Sequence, residues 1–296
     1  FRSVGGTTLG GSSAVNFATA AAPPAAYFAA YGIDLAPSLA ALRAELPLAP
    51  LPDALVGPMA ARIMTAAHAA GIDWKKLDKM IRPALCRSGC WRCTYGCPFG
   101  AKWSARDFVE HAVGLGATLQ TGSRVTRVLL EGGRASGVEV KQGDRLQTFH
   151  APLVILSGGG IGSPRILHAS GLGPRDAPFF SDPVVAVMGS VTGIDGGAEV
   201  PMAAGWHDPE AGIALADLTL PRPMYQAFAA QVGRVDRLFA HRRTLCIMVK
   251  IRDDISGRIG PRWADKRLSD GDRARLQTGE RMASTILQAA GARHVF

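Results

Sequence analysis

A glycine-rich turn between an apolar stretch and a helix-like stretch is the feature that most restricts the fold. Residues 153–167 read LVIL, then SGGGIGS, then PRIL. The pattern predicts a short buried strand over 153–156, a tight turn, and a helix with Ser163 as N-cap and Pro164 at its first position. A strand that enters a helix through glycines is typical of α/β proteins, and the backbone N–H groups of such a turn can bind a phosphate or dinucleotide. A turn without a ligand explains the same residues, so the pattern indicates a fold before it indicates a function.

Periodic apolar segments elsewhere predict an α/β part followed by an α+β part. A hairpin is expected where residues 125–130 and 135–140 flank the sequence EGGR, because alternating apolar residues around glycines favour paired strands. The composition changes near residue 180, so we expect one domain over residues 1–180 and a second, with an antiparallel sheet, over 181–296. Further strands are predicted at 184–191, 213–220 and 245–251, and helices at 58–70, 104–115 and from a Ser269-x-x-Asp272 capping box to Gly291.

Four of the five cysteines are concentrated in one short run. The spacing is C-x3-C-x2-C-x3-C-P, and it is carried by Cys86, Cys90, Cys93 and Cys97. Four thiols this close favour one shared object over two unstrained disulfides, and ferredoxin-type runs also end in C-x3-C-P. Zinc is the rival, although structural zinc sites usually draw on two separated cysteine pairs. Disulfides or free thiols are the third reading, and Cys246 in an apolar run is expected to be a buried core thiol.

Composition excludes several classes of protein. Apolar residues make up 47% of the 296 residues, which rules out a disordered chain. The sequence has no run of 18 apolar residues, so it predicts no membrane span. The net charge of +9 is compatible with an anionic partner. The basic residues are dispersed and accompanied by only 7% aromatic residues, so we expect no nucleic-acid partner.

Two segments together resemble the glucose–methanol–choline (GMC) family of flavin oxidoreductases. The first is LGGSSAVN at residues 9–16, which is similar to the family's first signature, and the second is SPRILHASGLG at 163–173, which is similar to the second signature. Residues 123–140 resemble the strand that passes the adenine, and residues 268–292 resemble a late helix of the family. The resemblance implies an FAD-binding, Rossmann-like domain followed by an antiparallel-sheet substrate domain.

The resemblance also implies a cofactor site and a reaction. FAD would contact residues of the first signature, the adenine strand and the glycine turn, and a small-molecule alcohol would be oxidised by hydride transfer to the flavin. A plain glycine–serine turn and a plain core strand are the alternative explanations of these residues. The residues that would bind FAD are Gly10, Gly11, Ser12, Ser13, Asn16, Val125, Gly158 and Gly159.

Within the family, the cysteine run with the following Gly100-Ala101-Lys102-x-Ser104 most resembles the long-chain alcohol oxidase and related dehydrogenase branch. That relation favours an iron–sulfur cluster on the four cysteines, with zinc as the alternative. A cluster would pass electrons on to an acceptor protein or a quinone, which favours a dehydrogenase over an oxidase.

Two parts of the family pattern are not found in this chain. The G-x-G-x-x-G unit would have to precede Gly5, and the catalytic His would follow the helix that ends at Gly291. The chain begins with Phe and no signal segment opens it, so we expect an interior piece that is inactive by itself, and we assign no catalytic residue. The alternatives are an electron-transfer or structural subunit without catalysis and a zinc-binding protein. The compartment stays open between the cytoplasm, a membrane surface and the periplasm.

Overall fold

The computed structural model describes residues 5–174 and 176–296. Its backbone forms two compact units, each built from separate stretches of the chain. These units are interleaved along the chain rather than consecutive. The expected division into two domains at residue 180 stays a prediction. The first unit comprises Phe1–Leu115, Val184–Ile251 and Arg275–Phe296, and the second comprises Gly116–Pro183 and Arg252–Ala274.

Helices and strands alternate irregularly along the described residues. The helices are α1 (Ala25–Ala29), α2 (Ala36–Glu45), α3 (Pro58–Ala69), α4 (Arg106–Gly114), α5 (Gly159–Ala169), α6 (Arg222–Gln231) and α7 (Asp270–Ala289). The strands are β1 (Leu48–Pro50), β2 (Lys75–Lys76), β3 (Asp78–Met80), β4 (Ser123–Glu131), β5 (Arg134–Gln142), β6 (Arg145–His150), β7 (Ala177–Phe179), β8 (Val184–Ser190), β9 (Ala204–Asp208), β10 (Ile213–Asp217), β11 (Thr244–Ile251), β12 (Gly257–Ile259) and β13 (Ala264–Asp265).

The core of the first unit is a five-stranded antiparallel sheet in the order β2-β9-β10-β11-β8. Strand β11 lies inside the sheet, and all its residues except Lys250 are buried. Cys246 on this strand is 6% exposed, which confirms the predicted core thiol. Helix α7 comes so close to β11 that a Cβ on Gly279 would lie 2.3 Å from Cγ1 of Val249. The antiparallel pairing of β8, β11, β10 and β9 confirms the sheet that the sequence predicts for the second half of the chain.

Helix α7 begins at the predicted capping box. The Asp272 N–H donates to the Ser269 hydroxyl and the Ser269 N–H donates to the Asp272 carboxylate, each over 3.0 Å. The box satisfies two backbone donors at a helix start, so Asp replaces the usual Glu without loss of the reciprocal pair. The predicted apolar face is buried, as shown by Leu276, Ala283, Ile286, Leu287 and Ala290.

The second unit contains the predicted hairpin. Strands β4 and β5 pair antiparallel around Gly132 and Gly133, which have φ angles of +56° and +77°. Two consecutive positive φ angles match the right-handed twist of the flanking strands, and glycine adopts them without strain. Strand β6 extends this sheet, and a second three-stranded sheet has the order β13-β12-β7. Helix α5 packs on β4, where the Val128 N–H donates to the Ser170 hydroxyl over 2.7 Å.

The predictions for the glycine turn itself are wrong. Residues 153–156 form no strand, and Leu153 and Ile155 are 72% and 79% exposed. Helix α5 begins at Gly159, so Pro164 lies inside the helix and Ser163 is not its N-cap. A strand needs a neighbour for its backbone hydrogen bonds, and the described residues offer none here. The Ser163 hydroxyl instead accepts the Gly158 N–H over 2.9 Å and closes the first turn from within.

Candidate functional site

The glycine–serine turn of the first unit is a short 3-10 helix over Gly11–Ala14. Gly10 and Gly11 have φ angles of +82° and +58°, which favour glycine. A Cβ on Gly10 would lie 2.7 Å from the backbone nitrogen of Arg106, whereas a Cβ on Gly11 would meet no atom of the described residues within 4 Å. Gly10 therefore allows the close approach of α4, and Gly11 leaves open space beside the turn.

The polar side chains of this turn hold the loop together. The Ser13 hydroxyl donates to the Gly10 carbonyl and accepts the Ala105 N–H over 2.9 Å. The Ser12 hydroxyl accepts the Gly6 N–H over 3.1 Å, and the Asn16 carboxamide oxygen accepts the Ala18 N–H over 3.0 Å. The Gly11 N–H already donates to the Thr8 carbonyl over 2.9 Å. The open side of Gly11 and the Ser12 hydroxyl, whose proton has no acceptor among the described residues, are therefore the parts of the turn best suited to an anionic ligand.

The other predicted cofactor residues lie in the second unit. Val125 is half-buried in β4 opposite Val140, and a β-bulge follows it. Gly158 precedes α5, where a Cβ would lie 3.0 Å from the Ser163 nitrogen. Gly159 has a φ of +76°, and an added Cβ would meet no atom of residues 5–174 and 176–296 within 4 Å. The structure therefore groups Gly10, Gly11, Ser12, Ser13 and Asn16 in the first unit and Val125, Gly158 and Gly159 in the second.

The four clustered cysteines line one cavity of about 10 Å³ in the first unit. They lie on a loop with short 3-10 turns at Pro83–Leu85 and Arg92–Tyr95, and all four are free thiols. Cys93 is buried, and the Arg87 guanidinium covers the Phe99 ring at 4.0 Å beside them. Within residues 5–174 and 176–296, no three His, Cys, Asp or Glu side chains already stand close enough to hold a metal ion. The structure brings the predicted metal ligands to one place without preforming a site.

Two buried lysines lie next to the cysteine loop. Lys79 is 0% exposed and Lys102 is 7% exposed. The Lys79 ammonium donates to the carbonyls of Phe17, Pro201 and Met202 over 2.7, 2.9 and 3.1 Å. Desolvation lowers the pKa of each lysine to about 8. Sequence reasoning missed Lys79, although the alternation Leu77, Lys79, Ile81 places it on the buried face of β3.

The positive charges of Lys79 and Lys102 both act on the Cys93 thiol. Burial raises its pKa to about 11, and the two nearby ammonium groups oppose that rise. Burial also raises the pKa of Cys86, which is half-buried. Burial therefore favours the neutral form of the Cys86 and Cys93 thiols, and the nearby lysine charge offsets that preference only in part.

Two buried carboxyl groups were also missed. Glu199 accepts the Met59 N–H over 2.9 Å and the Ala60 N–H over 3.3 Å, and so caps α3 from a distant part of the chain. Asp217 accepts the Ala204 N–H over 2.6 Å, and its Oδ2 has no hydrogen-bond partner among the described residues. Desolvation raises the pKa of Asp217 to about 6. Neither carboxyl group has a signal in the local sequence, because their partners are far away along the chain.

The sequence of this chain matches a family model and several known proteins. The family model described as GMC oxidoreductase matches residues 2–189, a range that includes the glycine–serine turn, the cysteine loop and α5. An uncharacterised GMC-type oxidoreductase of Mycobacterium tuberculosis is 30% identical over 181 residues, 57% of this chain and 28% of that protein. Mitochondrial choline dehydrogenase of Mus musculus is 45% identical over 82 residues, 26% of this chain and 13% of that protein.

A solved structure agrees with the fold. Pyridoxine 4-oxidase from Mesorbium loti superposes with a TM-score of 0.68 at 18% identity, over 98% of this chain and 67% of that one. The chain spans less than a third of the length of the curated relatives described above. None of the helices described is both long and apolar enough to cross a lipid bilayer. The match over residues 2–189 shows that this chain belongs to the GMC oxidoreductase family, whose members are flavoproteins.

Proposed function

We propose that the full-length protein uses FAD to oxidise the CH–OH group of a small-molecule alcohol. The observation that carries the proposal is the family match over residues 2–189, which contains every residue of the predicted cofactor set. The names of two relatives support it, since one is a choline dehydrogenase and the other a pyridoxine 4-oxidase.

The residues of this chain would bind and orient the cofactor. FAD supplies the acceptor of two electrons, a chemistry that no side chain offers. The open side of Gly11 admits a close approach, and the Ser12 hydroxyl has a proton that it can donate to a phosphate oxygen. Ser13 ties the turn to the start of α4 through the Ala105 N–H, so the donors are held in place before a ligand arrives.

We further propose that the cysteine loop holds an iron–sulfur cluster, with a zinc ion as the alternative. The chemistry of the donors supports this, because four thiols line one cavity. A cluster would supply a carrier of single electrons toward an acceptor protein or a quinone. Since no three of these side chains stand at metal-binding separation, the loop has to close around the metal as it binds.

A visible absorption spectrum of the anaerobically purified full-length protein, before and after dithionite, tests both parts. A flavin band over a broad shoulder that bleaches supports both groups. A flavin band alone supports FAD and refutes the cluster, and metal analysis then decides on zinc. A colourless protein refutes the enzyme proposal and favours a structural or electron-transfer subunit.

Two matched variants locate the flavin site. Gly11 and Gly32 both have positive φ angles, and no atom of the described residues lies within 4 Å of the place that a Cβ would occupy, so valine introduces backbone strain of the same kind at either position. We expect Gly11→Val to lose flavin on desalting, because its branched side chain fills the space beside the turn, and Gly32→Val to keep it. Equal flavin retention in both variants would refute the turn as the binding site.

A further inference from the structure

The Lys102 ammonium joins the cysteine loop to the glycine–serine turn. It donates to the carbonyls of Ala14, Asn16 and Cys93 over 2.9, 2.7 and 3.0 Å. An ammonium group has three protons, so these three carbonyls satisfy its hydrogen bonds completely. They carry no net charge, however, and therefore leave the positive charge of this buried group without a counter-charge.

No carboxylate in the described part of the chain balances that charge. Among the residues that the structure describes, none forms an ion pair with Lys102, and the ionisable groups that act on its charge are the Cys93 and Cys97 thiols. Lys79 differs, because the Asp217 carboxyl group acts on it as well. A buried charge without an opposite charge is strongly unfavourable, so the position of Lys102 calls for a negative partner on the side of the cysteine loop.

A metal bound by the four cysteines would provide that partner. Four thiolates around a divalent ion, or around a cluster core of the same charge, leave an excess of negative charge on the sulfurs. We propose that Lys102 is the counter-charge of a tetrathiolate metal centre formed by Cys86, Cys90, Cys93 and Cys97. The inference rests on the metal centre proposed above and adds the residue that stabilises its charge.

The stabilisation acts through charge and not through ligation. Lys102 lines the same cavity as the four thiols, and its ammonium reaches the backbone of one proposed ligand, Cys93. Groups that surround a metal centre in this way commonly change metal affinity by about 10–100-fold when they are replaced. A cation also favours the more negative, reduced state of a redox centre, so its loss is expected to lower the reduction potential.

The experiment measures metal retention in the full-length protein. Iron, zinc and sulfide are counted per chain after purification, and the rate of metal release is followed under a chelator. The variants are Lys102→Met, which removes the charge, and Lys102→Arg, which keeps it. Lys75→Met is the matched control, since Lys75 is 73% exposed and pairs with the exposed Asp73. Circular dichroism establishes that each variant is folded, and Cys93→Ala reports on ligation.

We expect Lys102→Met to release metal about 10–100-fold faster than wild type, Lys102→Arg to stay closer to wild type, and Lys75→Met to match it. If the metal is an iron–sulfur cluster, its potential falls in Lys102→Met and not in the control. Equal losses in the Met and Arg variants, or wild-type retention in Lys102→Met, would overturn the counter-charge role alone. A wild-type protein without metal, or full metal content in Cys93→Ala, would overturn the metal centre and the inference together.

Discussion

Replacing Gly10 by alanine tests whether the glycine–serine turn is built around a close backbone approach. The φ of +82° costs a residue with a Cβ about 1–2 kcal/mol. The new Cβ would also lie 2.7 Å from the Arg106 nitrogen, and overpacking against backbone costs about 1–3 kcal/mol more. Gly10→Ala should therefore lower the free energy of unfolding by about 2–5 kcal/mol.

Gly11→Ala is the control for this prediction. Its φ of +58° carries a similar conformational cost, but no atom of the described part of the chain lies within 4 Å of the added Cβ. We expect a loss of only about 1–2 kcal/mol. Both variants are compared with wild type by urea denaturation of the full-length protein without added FAD. If the two variants lose the same free energy, the steric part of the argument is refuted and only the backbone strain remains.

Three further predictions concern polar side chains that accept backbone N–H groups. Glu199→Ala should lower the free energy of unfolding by about 1–3 kcal/mol, because it leaves two N–H groups of α3 without an acceptor. Glu45→Ala, at an exposed site, should leave that free energy unchanged. Equal urea midpoints for the two variants would contradict this prediction. Asp217, with its pKa raised from 3.8 to about 6, holds its proton more tightly in the folded state, so its contribution to stability is present below pH 3.8 and is lost as the pH rises through about 6. Asp217→Asn should remove this loss from a pH series of melting curves, and parallel curves for both proteins would refute the assignment. Ser269→Ala should cost about 1 kcal/mol through the lost cap of α7, and an unchanged melting temperature would show that the capping box does not stabilise the helix.

Local sequence was sufficient wherever the signal lies within one turn or one hairpin. The capping box at Ser269, the two glycines of the EGGR hairpin and the apolar run of β11 all form the predicted elements. In each case the partners of the backbone groups are close in sequence or most of the residues are apolar, so long-range packing had little to change.

The glycine turn before α5 shows where such reasoning fails. Apolar residues and a proline predicted a strand and a helix start at Pro164, but a strand depends on a neighbour that the local sequence does not contain. The helix instead begins at Gly159, and the Ser163 hydroxyl accepts the Gly158 N–H inside the first turns. Pattern alone cannot choose between two hydrogen-bond arrangements that differ in tertiary partners.

The candidate site also combines features that the sequence predicts with features that only the fold creates. The sequence by itself determined the family, the glycine–serine turn and the set of four clustered cysteines, since each depends on residue types at fixed short spacings. Only the tertiary structure decided that Lys79 and Lys102 are buried beside those thiols and that Glu199 and Asp217 are buried in the same unit. The physical reason is that burial and the electrostatic surroundings of a charge arise from residues distant in sequence, and a lysine or a carboxylate looks the same in a sequence whether water or a protein interior surrounds it.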